Sequence, residues 1–132
     1  SPNMVEEARK RGVYDQVWSS DIAEFLDGGE GGVRCYDLIV ATDVFIYVGR
    51  LETVFKAVSR RCSPGGLFAF TVELLEEGDF RLLPSGRYAH SAAYIEGLAA
   101  ANSFKVLAER QLALRKSEQS AVAGLLFALA RE

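Results

Sequence analysis

The sequence has little of several features that would assign it quickly to a class. It contains one histidine, one tryptophan and two cysteines among 132 residues, and Cys35 and Cys62 have no metal-ligand spacing. Its most apolar stretch, residues 121–130, is about half the length that a helix needs to cross a bilayer. We therefore expect no metal site and no membrane partner. We also expect free thiols in a reducing, cytoplasmic setting.

Basic charge is also scarce. Lys and Arg total 15 against 18 Asp and Glu, which gives a formal net charge of −3 at pH 7. A nucleic-acid-binding domain typically presents a basic face, so we expect no nucleic-acid partner. With 49% hydrophobic residues, the chain is long enough to bury one core. The sequence predicts a single domain over residues 1–132. The chain begins at Ser1 rather than Met, so it looks processed, cut from a larger protein, or tagged and trimmed.

Glycine is present, but not in a phosphate-binding arrangement. The run Gly28–Gly32 lacks the Lys and Ser/Thr that a P-loop carries at the start of the following helix. A flexible linker is the better interpretation. A glycine-rich strand–helix turn is also missing in front of the first long apolar strand.

What the sequence does contain is a strand–helix–strand unit. Its parts are an apolar strand at Tyr36–Thr42, an amphipathic helix around Leu51–Cys62, a turn at Ser63–Gly66 and an apolar strand at Leu67–Glu73. This order is typical of a parallel βαβ crossover. Parallel sheets bind ligands beyond the carboxyl ends of their strands. Asp43 and Glu73, which follow or end the two strands, are therefore predicted to mark a site edge.

The flanking segments extend an alternating pattern. They are a helix from Ser1-Pro2 to Gly12, a strand at Val13–Ser19, a short helix capped by Asp21, a long irregular segment at Leu74–Arg87, a helix at Ser91–Asn102, and strands around Val106–Arg115 and Ala121–Ala130 joined by a polar loop at Lys116–Ser120. The last two strands are predicted to form an antiparallel hairpin. Purely parallel doubly wound folds do not close in this way.

Several motifs in this order resemble the class I S-adenosylmethionine-dependent methyltransferases. They are Ser1-Pro2-Asn3-Met4 with Ala8-Arg9-Lys10, Ser20-Asp21-Ile22, Tyr36-Asp37-Leu38-Ile39, Cys62-Ser63-Pro64-Gly65-Gly66-Leu67, and Asn102-Ser103-Phe104 after the late helix. The resemblance implies an α/β, Rossmann-like methyltransferase sheet that is mostly parallel, with an antiparallel C-terminal hairpin. It also implies that this sheet is incomplete on its N-terminal side, because the family's first strand and glycine-rich loop are missing. Ser103 stands where the family usually has Gly.

The resemblance also implies S-adenosylmethionine as cofactor and a set of residues that bind it. Asp21 would accept a hydrogen bond from the adenine amino group, and Ile22 would offer its backbone N–H to the ring. Ala41, Thr42 and Asp43 would line the pocket near the methionine moiety and the substrate. Plain capping of a helix or turn is the alternative for both Asp21 and Asp43.

No catalytic residue is secure from the sequence. His90 is the candidate base, because histidine titrates near neutral pH; the alternative is a solvent-facing residue at a helix entry. Tyr47 and Tyr88 are candidates for shaping a substrate pocket, against simple packing or exposure. The acidic group Glu73, Glu76, Glu77 and Asp79 is best interpreted as a solvated loop face.

Methyl transfer to a small-molecule or carrier-bound acceptor, by a fragment of a larger enzyme, is the function that the sequence predicts. One alternative is a non-catalytic methyltransferase-like module used in binding or dimerisation, since an unpaired flank of the Tyr36–Thr42 strand would invite a second copy of the chain. The other is a fragment of a nicotinamide oxidoreductase, which the Pro64-Gly65-Gly66 turn and the closing hairpin disfavour.

Overall fold

A computed structural model describes residues 2–14, 21–26, 34–116 and 121–132. They fall into two compact units, Ser1–Arg34 and Cys35–Glu132. Four predicted features lie wholly or mostly outside the described residues: Ser1 as a helix cap, the strand Val13–Ser19, the glycine run Gly28–Gly32 and the loop at 117–120. Every helix among the described residues is too short or too polar to span a bilayer.

The first unit contains two helices, α1 (Pro2–Arg11) and α2 (Ile22–Leu26). Helix α1 ends at Gly12, which has a φ of +67° and donates its N–H to the carbonyl of Arg9 at 3.2 Å. A left-handed residue after the last helical turn is the geometry that glycine adopts without cost. The predicted C-cap is therefore confirmed.

The second unit is a six-stranded sheet flanked by helices. Its elements are β1 (Tyr36–Ala41), a 3-10 helix (Phe45–Tyr47), α3 (Glu52–Arg61), β2 (Cys62–Leu74), β3 (Phe80–Leu82), β4 (Tyr88–His90), α4 (Ala92–Ala101), β5 (Phe104–Lys116) and β6 (Ala121–Arg131). Strand β2 is central: β1 runs parallel to it on one edge, and β6 runs antiparallel on the other, followed by β5. The parallel crossover and the closing antiparallel hairpin are both confirmed.

The segment predicted as irregular, Leu74–Arg87, is irregular over most of its length, but it contains the short strand β3 of a hairpin. Strands β3 and β4 pair antiparallel, and β4 also runs parallel to the end of β2, where Glu73 pairs with Ala89. The pairing of β1 with β2 stops at Ala41 and Phe70, so β4 takes the same edge of β2 after β1 has left it. The described sheet is thus mixed. Strands of three residues are too short for their alternation to be recognised in the sequence.

The predicted turn Ser63–Gly66 lies within the bounds of β2 as a local irregularity. Pairing with β1 jumps from Tyr36 opposite Cys62 to Leu38 opposite Leu67. Gly65 has a φ of +79°. A Cβ on Gly66 would lie 2.8 Å from the carbonyl oxygen of Ser63. Both glycines are therefore required by the backbone here.

The core of the second unit is rich in phenylalanine. The rings of Phe45, Phe55, Phe68, Phe70, Phe104 and Phe127 are all buried and form a connected set of ring contacts. Phe55 meets Phe70 edge-on with 5.6 Å between ring centroids, a favourable aromatic geometry. Helices α3 and α4 cover this core with the faces that their periodicity predicted.

Strand β1 is less covered than a strand with helices on both faces should be. Among the described residues its one strand partner is β2. Leu38 is 59% exposed and Val40 is 58% exposed. In the described structure β1 therefore presents an apolar surface beside an edge, although its sequence is continuously apolar.

Candidate functional site

The carboxyl end of β1 is marked by an unusual backbone conformation. Asp43, two residues after the strand, has a φ of +55°, which costs a residue with a Cβ about 1 kcal/mol or more. Its backbone N–H donates to the hydroxyl of Thr71 on β2 at 3.2 Å. Thr71 is buried, while Thr42 and Asp43 are exposed and Ala41 is half-buried. The chain is thus turned sharply at the end of β1, a kind of strain that clusters at functional sites.

The end of β2 carries a partly buried ion pair that the sequence did not indicate. The Arg87 Nε donates to Glu73 Oε2 at 2.8 Å and its second guanidinium nitrogen to Oε1 at 3.4 Å. The Glu73 side chain is only 5% exposed, so its expected place on a solvated loop face is wrong, whereas Glu76, Glu77 and Asp79 are exposed. The hydrogen bond to Glu73 raises the pKa of the Arg87 guanidinium. The pair anchors β4 to the end of β2 and satisfies the Glu73 carboxylate.

The loop after Asp43 presents an aromatic ring to solvent on a buried support. In the 3-10 helix, Phe45 and Ile46 are 1% and 2% exposed, whereas Tyr47 is 72% exposed. Tyr88 is half-buried and packs towards Gly49, where an added Cβ would lie 2.7 Å from the Tyr88 Cε1. Tyr47 is therefore the more accessible of the two tyrosines that the sequence singled out.

His90 is buried rather than solvent-facing, so the alternative weighed for it is wrong. It has no exposed surface. Its Nε2 lies 2.9 Å from the carbonyl oxygens of both Val48 and Gly49, and its Nδ1 is buried without a hydrogen-bond partner among the described residues. Burial lowers the pKa of His90, and the two backbone hydrogen bonds oppose this only in part. A general base must reach a substrate proton, and this enclosure gives no support to the candidate catalytic role.

A second tie joins α3 to α4 behind this loop. The Tyr94 hydroxyl donates to Glu52 Oε2 at 2.8 Å and accepts the N–H of Leu51 at 2.9 Å. Burial is the main cause that raises the pKa of Tyr94 to about 12. The tyrosine ring also stacks on His90, with 6.2 Å between centroids. The loop between the 3-10 helix and α3 is thus fixed from two neighbouring elements.

The remaining predicted site residues lie in the first unit. Asp21 is exposed and directly precedes α2, and its carbonyl accepts the N–H of Phe25 at 2.8 Å. Ile22, the first residue of α2, is half-buried. Their position at a helix start agrees with the sequence, and their cofactor role stays a prediction. The other predicted cofactor-binding residues, Ala41, Thr42 and Asp43, lie in the second unit.

No protein-family model and no curated protein matches the chain. Solved structures do. A methyltransferase from Methanosarcina mazei superposes with a TM-score of 0.72 over 99% of this chain and 78% of its own length, at 14% identity. The 1,6-didemethyltoxoflavin-N1-methyltransferase of Burkholderia thailandensis, with bound S-adenosylhomocysteine, superposes with a TM-score of 0.71. The superposition covers 98% of this chain and 56% of that protein's length, at 14% identity. The chain has the class I methyltransferase fold.

Other proteins use this methyltransferase fold differently. The [4+2]-cyclase SpnF superposes with a TM-score of 0.71 over 96% of this chain and 60% of its own length, at 13% identity. The chain spans between 56% and 78% of the length of these three structures. Identity this low shows the fold, and the activity has to be argued from the site.

Proposed function

We propose that the chain is the carboxyl-terminal part of an S-adenosylmethionine-dependent methyltransferase that acts on a small-molecule or carrier-bound acceptor. The observation that carries the proposal is the turn at Asp43. An exposed carboxylate stands at the carboxyl end of a parallel strand, in a strained conformation held by Thr71. Ligands bind at this end of such sheets. Strain there indicates a backbone shaped for a ligand rather than for stability alone.

The residues present fit the cofactor in chemical type. S-adenosylmethionine supplies an electrophilic methyl group on a sulfonium, next to a methionine moiety with an ammonium group. The exposed Asp43 carboxylate suits a cationic neighbour. By resemblance, Ala41 and Thr42 would line the same pocket, and Asp21 and Ile22 would hold the adenine through a carboxylate and a backbone N–H.

Methyl transfer needs alignment more than acid or base chemistry. In the second unit, the structure offers a stiff support for that task. The ion pair of Glu73 and Arg87 fixes the hairpin of β3 and β4 at the end of β2. Tyr47 stands exposed on the loop between Asp43 and α3. We infer that Tyr47 faces the acceptor and that the hairpin forms the acceptor-side wall.

Calorimetric titration tests the cofactor assignment. We expect S-adenosylhomocysteine to bind and NAD to give no heat, with Asp43→Asn weakening the binding about tenfold, since a lost charged hydrogen bond costs about 1.5 kcal/mol. Glu77→Gln removes an exposed carboxylate from the loop after β2 and is the matched control; it should leave binding unchanged. Equal loss in both variants would mean that general charge, not Asp43, matters. Binding of neither ligand by the wild-type chain would overturn the proposal.

A non-catalytic module is the second candidate, and the apolar surface of β1 favours it. Leu38 and Val40 are each more than half exposed beside the edge of β1 that has no strand partner among the described residues. Such an edge pairs readily with another chain. The predicted partner is a second copy. Light scattering at micromolar concentration should then give the mass of a dimer, and Val40→Lys should give a monomer. A monomeric wild-type chain would count against self-association.

A further inference from the structure

We propose that His90 is a positioning residue, whose Nε2–H holds the loop of residues 44–50 in the conformation that presents Tyr47. This assigns the lone histidine to a task other than proton transfer. The importance of Tyr47 rests on the proposed function, whereas the tie between His90 and the loop rests on geometry alone.

The hydrogen bonds of His90 define which nitrogen carries the proton. Both groups near Nε2, the carbonyls of Val48 and Gly49, can only accept. Nε2 must therefore be the protonated nitrogen, shared between two acceptors, and the neutral ring leaves Nδ1 without a proton. A single side chain on β4 thus satisfies two consecutive backbone carbonyls, which lie just before α3.

The loop is fixed at both ends. At its entry, the N–H of Asp43 is held by Thr71 at 3.2 Å. Within it, the N–H of Tyr47 bonds the carbonyl of Val44 at 3.2 Å, and the N–H of Val48 bonds that of Phe45 at 3.0 Å. At its exit stands His90. The orientation of Tyr47 is therefore set by backbone bonds on either side of it, although its own ring is largely in solvent.

Loss of the His90 donor would remove the tie at Val48 and Gly49, and the next tie along the chain would be the bond from the Leu51 N–H to the Tyr94 hydroxyl. The carbonyls of Val48 and Gly49 would lie next to an aromatic cluster without a donor, and such groups are costly to leave unpaired. The cheapest response is for this short segment to move towards water, since its 3-10 helix has only three residues and few hydrogen bonds. Tyr47 would move with it.

Protonation of His90 would have a related effect, because the ring has no charged partner at hand. It contacts Phe80 from β3 and Tyr94 from α4. The charged groups around these rings are Arg50, which lies over Phe80 at 5.9 Å, and Glu52, which is engaged by the Tyr94 hydroxyl. Arg87, just before β4, is engaged by Glu73. A second ring proton on Nδ1 would find no acceptor among the described residues. The neutral donor is thus favoured near pH 7, and acid should loosen the loop.

Hydrogen exchange at the amides of Tyr47 and Val48 tests the proposal without cofactor or acceptor. Protection factors, which correct for the intrinsic pH dependence of exchange, would be compared with global stability from urea unfolding. We expect His90→Phe, which keeps a flat ring without a donor, to lower protection of these two amides at least tenfold beyond the global loss. His90→Gln, which keeps an N–H at similar reach, should restore much of it.

Leu98→Ala is the matched control, since Leu98 is a buried residue of α4 whose aliphatic side chain can form no hydrogen bond to the loop. It should lower all protection in proportion to global stability. If His90→Phe also lowers the protection of the Tyr47 and Val48 amides only in proportion to global stability, His90 is an ordinary core residue and the proposal is overturned.

A pH series keeps the test decisive if His90→Phe does not fold. Wild-type protection of the Tyr47 and Val48 amides should fall between pH 7 and pH 5, while that of His90→Gln stays flat. Two flat profiles would overturn the proposal. Because no cofactor is present, failure here would leave the methyltransferase proposal standing. Failure of S-adenosylhomocysteine to bind would likewise leave the His90 tie standing.

Discussion

Replacing Tyr94 by Phe removes one oxygen from the tie between α3 and α4 and tests how much that tie stabilises the second unit. The hydroxyl serves two partners, the N–H of Leu51 at 2.9 Å and the carboxylate of Glu52 at 2.8 Å. Leu51 has no exposed surface, so its N–H cannot turn to water after the substitution. Glu52 is half-buried and can regain a water partner.

The expected loss of stability follows from this difference between the partners. A buried N–H left without an acceptor costs about 1–3 kcal/mol. The lost bond to a solvent-accessible carboxylate adds up to about 1 kcal/mol. We expect Tyr94→Phe to lower the free energy of unfolding by about 2–3 kcal/mol at pH 7. Glu52→Gln leaves the oxygen that accepts from Leu51 in place and should cost less than about 1 kcal/mol.

Alkaline pH supplies an internal check on the same hydroxyl. The pKa of Tyr94 is raised from 10.0 to about 12, so the folded state holds this proton more tightly than the unfolded state. The associated stability is complete below pH 10 and is lost as the pH rises from 10 to about 12. Because the Glu52 carboxylate that accepts this bond is partly solvated, we expect the stability lost over this pH range to be about 1–1.5 kcal/mol.

The assay is urea unfolding of wild type, Tyr94→Phe and Glu52→Gln at several pH values from 7 to 12. Other effects of high pH are shared by all three proteins, so the difference between wild type and Tyr94→Phe isolates this hydroxyl. The difference should be largest near pH 7 to 9 and should shrink towards pH 12. A loss under 0.5 kcal/mol for Tyr94→Phe, or a pH-independent difference, would refute the reasoning.

Three further substitutions have expected directions. Ser103 has a φ of +63° at the exit of α4, so Ser103→Gly should raise the free energy of unfolding by about 0.5–1 kcal/mol, and a loss in urea unfolding would contradict this. Gly124→Ala would place a Cβ 2.9 Å from the carbonyl oxygen of Val72; we expect a cost of at least about 2 kcal/mol, measured in the same way, because backbone cannot retreat. Burial first, and then the hydrogen bond to Glu96, raise the pKa of Glu109, so this carboxyl favours its protonated form on folding. Glu109→Gln should therefore stabilise by a few tenths of a kcal/mol as the pH rises above about 4.5, and not below it, as thermal unfolding at pH 3 and pH 7 would show.

The sequence predicted the elements whose side chains repeat with a clear period. In α3, Val54, Phe55 and Val58 are buried as their spacing requires, and β5 alternates along Val106 and Ala108 as an edge strand should. Turn chemistry was equally informative, since the left-handed exit of α4 at Ser103 stands where the resemblance calls for glycine. All of these features are local, because a periodic pattern shows only which face of its own helix or strand is buried.

The candidate site depends on contacts between distant parts of the chain, which no local pattern reports. The expectation that Glu73 lies on a solvated face failed because its partner, Arg87, comes from a hairpin that the sequence did not reveal. A solvent-facing position was the alternative for His90, yet this residue is buried among neighbours from three separate parts of the chain: the loop before α3, β3 and α4. The hydrogen bond between Thr71 and Asp43 could not be predicted, because a single threonine in a strand is ordinary. The position of Asp43 at a strand end was predictable, and the conformation that distinguishes it was not.

The central place of β2 has a consequence for how the chain folds as it is made. Its pairing with β1 joins neighbouring parts of the chain and can form early. Its other edge, from Leu67 to Glu73, pairs with β6 in the part of the chain that the structure describes, and β6 is synthesised after both α4 and β5. Until then, the nascent protein carries a row of unpaired backbone groups beside the rings of Phe68 and Phe70, the surface on which aggregation begins. Ribosome-bound chains that stop before β6 should therefore depend on chaperones, and release of this dependence should coincide with the emergence of that strand.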